Sequence, residues 1–123
     1  MPTNANILLV RHAEKPDSGT DLAPAGQARA QAYVAYFQNY AIDGNPVKPQ
    51  YIFAAADSDE SHRPRLTMEP LAQALGLSID DKHKDKDYAQ VADDLLTHPK
   101  YNGSNVLVCW HHGEILDLAA ALG

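Results

Sequence analysis

Apolar runs and helically spaced apolar positions alternate along this chain. Asn6-Ile7-Leu8-Leu9-Val10 is a short continuous run, the pattern of a strand buried on both faces, as in a parallel sheet. A polar stretch from Arg11 to Asp21, with Pro16 and Gly19, reads as a loop. Pro24 then sits where a first-turn proline belongs. Ala25, Ala28, Ala32, Tyr33, Tyr36, Phe37 and Tyr40 predict a helix from about Pro24 to Tyr40, and the turn-rich residues 44–49 end it. Tyr51 to Ala55 is a second buried strand. Helical spacing returns at Leu66, Leu71, Ala74 and Leu75, with Gly76 as the stop and Pro70 implying a kink or a fresh start inside. Leu77-Ser78-Ile79 reads as a short third strand, and the mixed-charge run Asp80 to Asp87 as a solvated loop. Tyr88 to Leu96 fits a short helix, Asn105 to Trp110 a last strand, and Ile115 to Leu122 a last helix.

Strands alternating with helices predict an α/β fold: three layers, α/β/α, around a mostly parallel central sheet with right-handed crossovers. The 123 residues make one domain, 1–123, with no internal repeat. Ligands in such sheets bind beyond the carboxyl ends of the strands. That rule selects Arg11-His12, the segment Asp57 to Arg63, and His111-His112, so that arginines and histidines gather at one rim.

Charge narrows the partners. Ten Lys+Arg against sixteen Asp+Glu give a net charge of −6, a poor basis for binding a nucleic-acid backbone. No apolar run has the length of a membrane span, and MPTNANILLV lacks the pattern of a secretory signal. One cysteine excludes an intramolecular disulfide framework and a thiolate zinc site. These readings point to the cytoplasm, with no membrane partner. Cys109 reads as a small core residue, and His62, His83 and His98 as surface residues.

Leu9-Val10-Arg11-His12-Ala13-Glu14 resembles the first-strand signature of the histidine phosphatase superfamily, also called phosphoglycerate mutase-like. The resemblance runs through nearly the whole chain. Leu22-Ala23-Pro24-Ala25-Gly26 is similar to the family's Leu-Thr-x-x-Gly helix start, with Ala23 replacing the threonine. Arg63 to Thr67 keeps an Arg-x-x-x-Thr spacing, Ser58 matches a serine of the preceding loop, and His112-Gly113 looks like the second family histidine. The resemblance implies a phosphoglycerate mutase-like fold and a metal-independent phosphatase without cofactor. In it a neutral His12 takes up the phosphoryl group, Arg11 and Arg63 bind its oxygens, and His112 donates to them. The residue types suit that chemistry, because arginines neutralise phosphoryl charge and also lower the pKa of a nearby imidazole. His111 is a further pocket-lining candidate.

The leaving-group acid departs from the family pattern. Ile79-Asp80-Asp81-Lys82 stands where many relatives carry a glutamate. The candidates are Glu114, two residues past His112, and Asp57, Asp59 or Glu60; Glu14 more plausibly orients the site. The resemblance implies a small phosphomonoester or a phosphohistidine protein as substrate; the nitrogen leaving group of a phosphohistidine needs less help from an acid than an alcohol does.

Rival readings carry different chemistry. Asp57-Ser58-Asp59-Glu60-Ser61 resembles the nucleophile loop of magnesium-dependent haloacid dehalogenase-type phosphatases, with Asp57 attacking. A metal hydrolase built on His111, His112 and Glu114 is disfavoured, because adjacent residues at a strand end point oppositely. A phosphate-pocket protein that binds without turnover is the non-enzymatic alternative. Short loops argue against a mutase. The chain stops eleven residues after His112, where the resemblance implies a further strand and helix. The expectation is a minimal or shortened member whose last sheet edge is exposed or paired with a second copy, as in a homodimer.

Overall fold

The computed structural model describes residues 5–16, 18–59 and 61–123, apart from the side chain of His112. Glu60, one of the acid candidates, lies outside the described residues. The chain runs β1 (Asn6–Arg11), α1 (Pro24–Gln38), β2 (Ala41–Ile42), β3 (Asn45–Pro46), β4 (Tyr51–Ala54), α2 (Arg63–Leu75), β5 (Ile79–Asp80), α3 (Tyr88–Thr97), β6 (Asn105–Trp110) and α4 (His112–Leu122). Short 3-10 turns lie at Asp85–Asp87 and Pro99–Tyr101.

Four strands form a parallel sheet in the order β1-β6-β4-β5. β6 lies between β1 and β4, which is why Val106 to Trp110 are all apolar and all fully buried. Successive residues face opposite layers. Val106, Val108 and Trp110 pack with Val91, Leu95, Leu118 and Leu122 of α3 and α4. Leu107 and Cys109 pack with Phe37, Met68, Leu71 and Ala72 of α1 and α2. The result is the three-layer α/β/α arrangement expected of the pattern. β1 is an edge strand whose sheet neighbour is β6. No helix among the described residues is long and apolar enough to cross a membrane.

The differences from the sequence reading have local causes. α1 stops at Gln38 rather than Tyr40, because Asn39 folds back, its backbone N–H and its side-chain Nδ2 both reaching Ala35 O. The stretch read as a plain loop holds a small antiparallel hairpin, β2–β3, turned by Asp43 and Gly44 with φ of 51° and 79°. An Asp-Gly pair is suited to such a two-residue turn. α2 starts earlier than its apolar spacing implies, because Pro64 occupies its first turn and Ser61 Oγ accepts the Arg63 N–H. Pro70 does not end this helix; buried Met68, Leu71 and Ala72 carry it through to Gly76, whose φ of 69° closes it. β5 covers Ile79–Asp80, not 77–79, and α4 begins at His112, three residues before Ile115.

Candidate active site

The carboxyl ends of β1, β4 and β6 open onto a cavity of about 370 Å³ lined by Arg11, His12, Lys15, Ser58, Ser61, Arg63, Asp85, His111 and Gly113. It gathers Arg11, His12, Ser58, Arg63 and His111 from the residues named in the sequence, and the His111 ring centroid lies 5.1 Å from that of His12. His112 opens α4; its side chain lies outside the described residues. Gly113 brings the first turn of α4 to the cavity, and Arg63 the first turn of α2. The first turns of two helices and three cationic side chains thus border one imidazole, an environment that favours an anion. Arg63 Nη1 donates to Gly19 O at 3.2 Å, while its buried Nε has no hydrogen-bond partner among the described residues.

The strand pairing continues one residue past β1, since the His12 N–H donates to Trp110 O at 3.1 Å. His12 Nδ1 lies 2.8 Å from Ala13 O. A carbonyl can only accept, so Nδ1 carries the proton and Nε2 holds the free lone pair. The imidazole pKa is lowered from its ordinary value of 6.5, first by burial and then by His111, Arg63 and Arg11, against the opposing pull of the Ala13 carbonyl.

Three contacts set the loop that carries His12. The Ala13 N–H donates to Thr67 Oγ1 at 2.9 Å, and that buried hydroxyl donates to Arg63 O at 2.7 Å. Thr67 thereby ties the loop that carries His12 to the start of α2, which gives the Arg63-x-x-x-Thr67 spacing a structural reason. Glu14 meets Arg29 of α1 in a two-pronged ion pair, Nε–Oε1 2.7 Å and Nη2–Oε2 3.1 Å, which holds its carboxyl below the usual range. Replacing Thr67 by valine keeps the volume but strands the buried Ala13 N–H. The expected cost is about 1–3 kcal/mol, read as a fall of roughly 3–10 °C in Tm. An unchanged melting temperature would show that the hydroxyl is dispensable.

The acid candidates separate. Both Asp57 oxygens are held by Arg65 Nε, at 2.9 and 3.1 Å, and Arg65 also meets Glu69. Asp57 does not line the cavity, which removes the geometric basis for it as a nucleophile or acid there. Asp59 is exposed and also outside the lining. Glu114 is half-exposed in the first turn of α4; its pKa is raised by desolvation, by a hydrogen bond with Asp117 and by the charges of Asp85 and Asp117, but it too is outside the lining.

The carboxylate that does line the cavity is Asp85, which the sequence reading placed in a solvated loop. The run Asp81 to Asp87 corrects that reading. Lys82, Lys84 and Lys86 are exposed, whereas His83, Asp85 and Asp87 are half-buried, in a stretch that ends in the 3-10 turn Asp85–Asp87. Every residue of DDKHKDKD is polar or charged, so its composition alone gave no signal for an inward-facing acid. His83 is accordingly no surface residue. His62 is half-buried beside Asp21 at 3.7 Å, and His98 is exposed. Cys109 is buried, and burial pushes its thiol pKa up, so it is inert core.

A crystal structure of an Agrobacterium tumefaciens protein assigned as the phosphohistidine phosphatase SixA resembles this one over 98% of the present chain and 77% of the other. The TM-score is 0.58 and the sequence identity 20%. The fold is phosphoglycerate mutase-like. No protein-family profile and no curated protein sequence matches the chain. In this phosphoglycerate mutase-like frame the β1 and β6 ends carry the Arg11-His12 and His111-His112 pairs side by side, joined by the register Arg11↔Trp110.

Proposed function

We propose that the chain is a metal-independent phosphatase that carries the phosphoryl group of a phosphomonoester or a phosphohistidine on His12. The observation that supports this most directly is the His12 Nδ1–Ala13 O hydrogen bond, which leaves Nε2 as the nucleophile inside a cation-lined cavity. The likeness to a structure assigned as a phosphohistidine phosphatase points the same way.

In the first step His12 Nε2 attacks phosphorus, the bond from phosphorus to the leaving oxygen or nitrogen breaks, and Asp85 supplies the proton to the leaving group. Arg11, Arg63 and the α4 N-terminus neutralise the non-bridging oxygens. His111, which lines the cavity, and His112, assigned by its motif, are the imidazoles available to donate to them. In the second step water attacks phosphorus, its proton returns to the Asp85 carboxylate, the N–P bond breaks, and His12 is regenerated neutral. Phosphate is the product.

Acid-base trapping tests the reading. Brief incubation with a ³²P-labelled aryl phosphate should leave a label that is stable to alkali and lost in acid, the behaviour of a phosphoramidate. An acid-stable adduct would instead indicate an acyl phosphate or an ester, and phosphate retention without turnover would indicate a binding protein.

A further inference from the structure

We propose that His83 is a positioning residue, clipped to Asp94 of α3 so that Asp85 is held over the phosphoryl site. The inference rests on the reading of Asp85 as the acid. His83 Nε2 meets Asp94 Oδ2 at 3.2 Å, and the two side chains are 17% and 42% exposed. The backbone on either side is tied to the sheet: His83 O accepts from the Ala56 N–H at 2.8 Å, and Asp85 O accepts from Trp110 Nε1 at 3.0 Å. Ala56 follows β4 and Trp110 ends β6, so the segment is stitched to two strand ends that open onto the cavity. One oxygen of the Asp85 carboxyl, Oδ1, is buried.

These backbone bonds set the path of the segment along the sheet, and the 3-10 turn Asp85–Asp87 follows directly. The His83–Asp94 pair adds a side-chain tether to α3 two residues before Asp85. Both His83 and Asp85 are half-buried. The clip therefore steadies the backbone that carries the acid to the cavity. His83 takes no proton from the reaction and touches no reacting atom.

Leaving-group dependence distinguishes this role from simple support of the fold. The probes are p-nitrophenyl phosphate, whose leaving group departs with little protonation, and glycerol 2-phosphate, whose alkoxide needs an acid. General acid catalysis contributes about 10²–10⁴-fold where it is needed. His83→Ala should therefore lower kcat on glycerol 2-phosphate by at least roughly 10-fold and change that on p-nitrophenyl phosphate by less than about 3-fold. Asp94→Asn should act in the same direction, and His83→Gln, which keeps an N–H donor, should recover part of the loss. Equal losses on both substrates, or none on either, would overturn the clip. Asp85→Asn is the companion measurement. If it shows the split and His83→Ala does not, positioning fails while the acid reading stands. If Asp85→Asn shows no split, or the unmodified chain turns over neither substrate, the acid reading fails and takes this inference with it.

Discussion

Replacing His12 by alanine is expected to lower phosphatase turnover by at least about 10³-fold while the fold survives. The side chain is half-buried at the mouth of the sheet, and its Nδ1 is hydrogen-bonded to the neighbouring Ala13 carbonyl, so removing it costs little packing. Of the other cavity side chains, Arg11, Lys15 and Arg63 are cations, and the proposed mechanism gives Asp85 and His111 other roles. The same labelling that marks the unmodified chain should give no adduct with His12→Ala; a retained adduct would move the nucleophile elsewhere. The pH profile supplies an independent check. In the proposed mechanism the neutral imidazole is the nucleophile, and burial, His111, Arg63 and Arg11 lower its pKa. The reactive form therefore persists below pH 6.5, and the acid limb of kcat/KM should have its midpoint under that value. A midpoint at or above 6.5 would contradict the electrostatics described for this site.

Gly26→Ala should be the most damaging conservative change outside the cavity. A Cβ at position 26 would lie 2.5 Å from Glu14 O and 2.9 Å from Glu14 N, with Leu22 Cβ at 3.2 Å. The first two are backbone atoms of the loop that carries His12, and the Ala23 N–H already donates to Glu14 O at 2.9 Å. Alanine favours a helix interior over glycine by about 1 kcal/mol. That gain is outweighed here, since overpacking of this kind costs about 1–3 kcal/mol and the atoms it meets cannot rotate away. The loop must shift, and a displacement approaching 1 Å near a nucleophile costs on the order of 10²-fold in rate. The variant should melt lower and lose kcat/KM together. A raised Tm with full activity would mean that α1 can slide off the loop without consequence.

Much of this was legible because burial and chemistry coincide at strand ends. Val106 to Trp110 reads as a central strand since both its faces are covered, and the polar residues that follow are brought to the rim by that same strand. Arg11-His12 and the segment ending in Arg63 could therefore be placed at one rim from the strand ends, and the family resemblance singled out Arg63 within it. Asp85 could not. Its position depends on the side chains of a charged segment alternating in and out, and charge composition hides that alternation: a lysine, a histidine and an aspartate all read as solvated until the backbone shows which ones turn inward. The hairpin at 41–46 and the stop at Gln38 were missed for a related reason. Both depend on single residues, Asp43 with Gly44 and Asn39, whose backbone conformations or side-chain hydrogen bonds override a longer periodicity.

The edge position of β1 has a consequence for the order in which the molecule loosens. β1 shares its ladder with β6, and Ile7, Leu8, Leu9 and Val10 are only half-buried, whereas every residue from Val106 to Trp110 is sealed. Local fraying begins at the edges of a sheet, so the strand that ends in Arg11 and His12 belongs to a less protected cooperative unit than the central β6. An anion gripped by those two residues would bind only the closed form of that unit. Occupancy of the cavity and the amide protection of β1 would then be one linked equilibrium, in which the ligand acts as a fastener for the strand that ends beside His12.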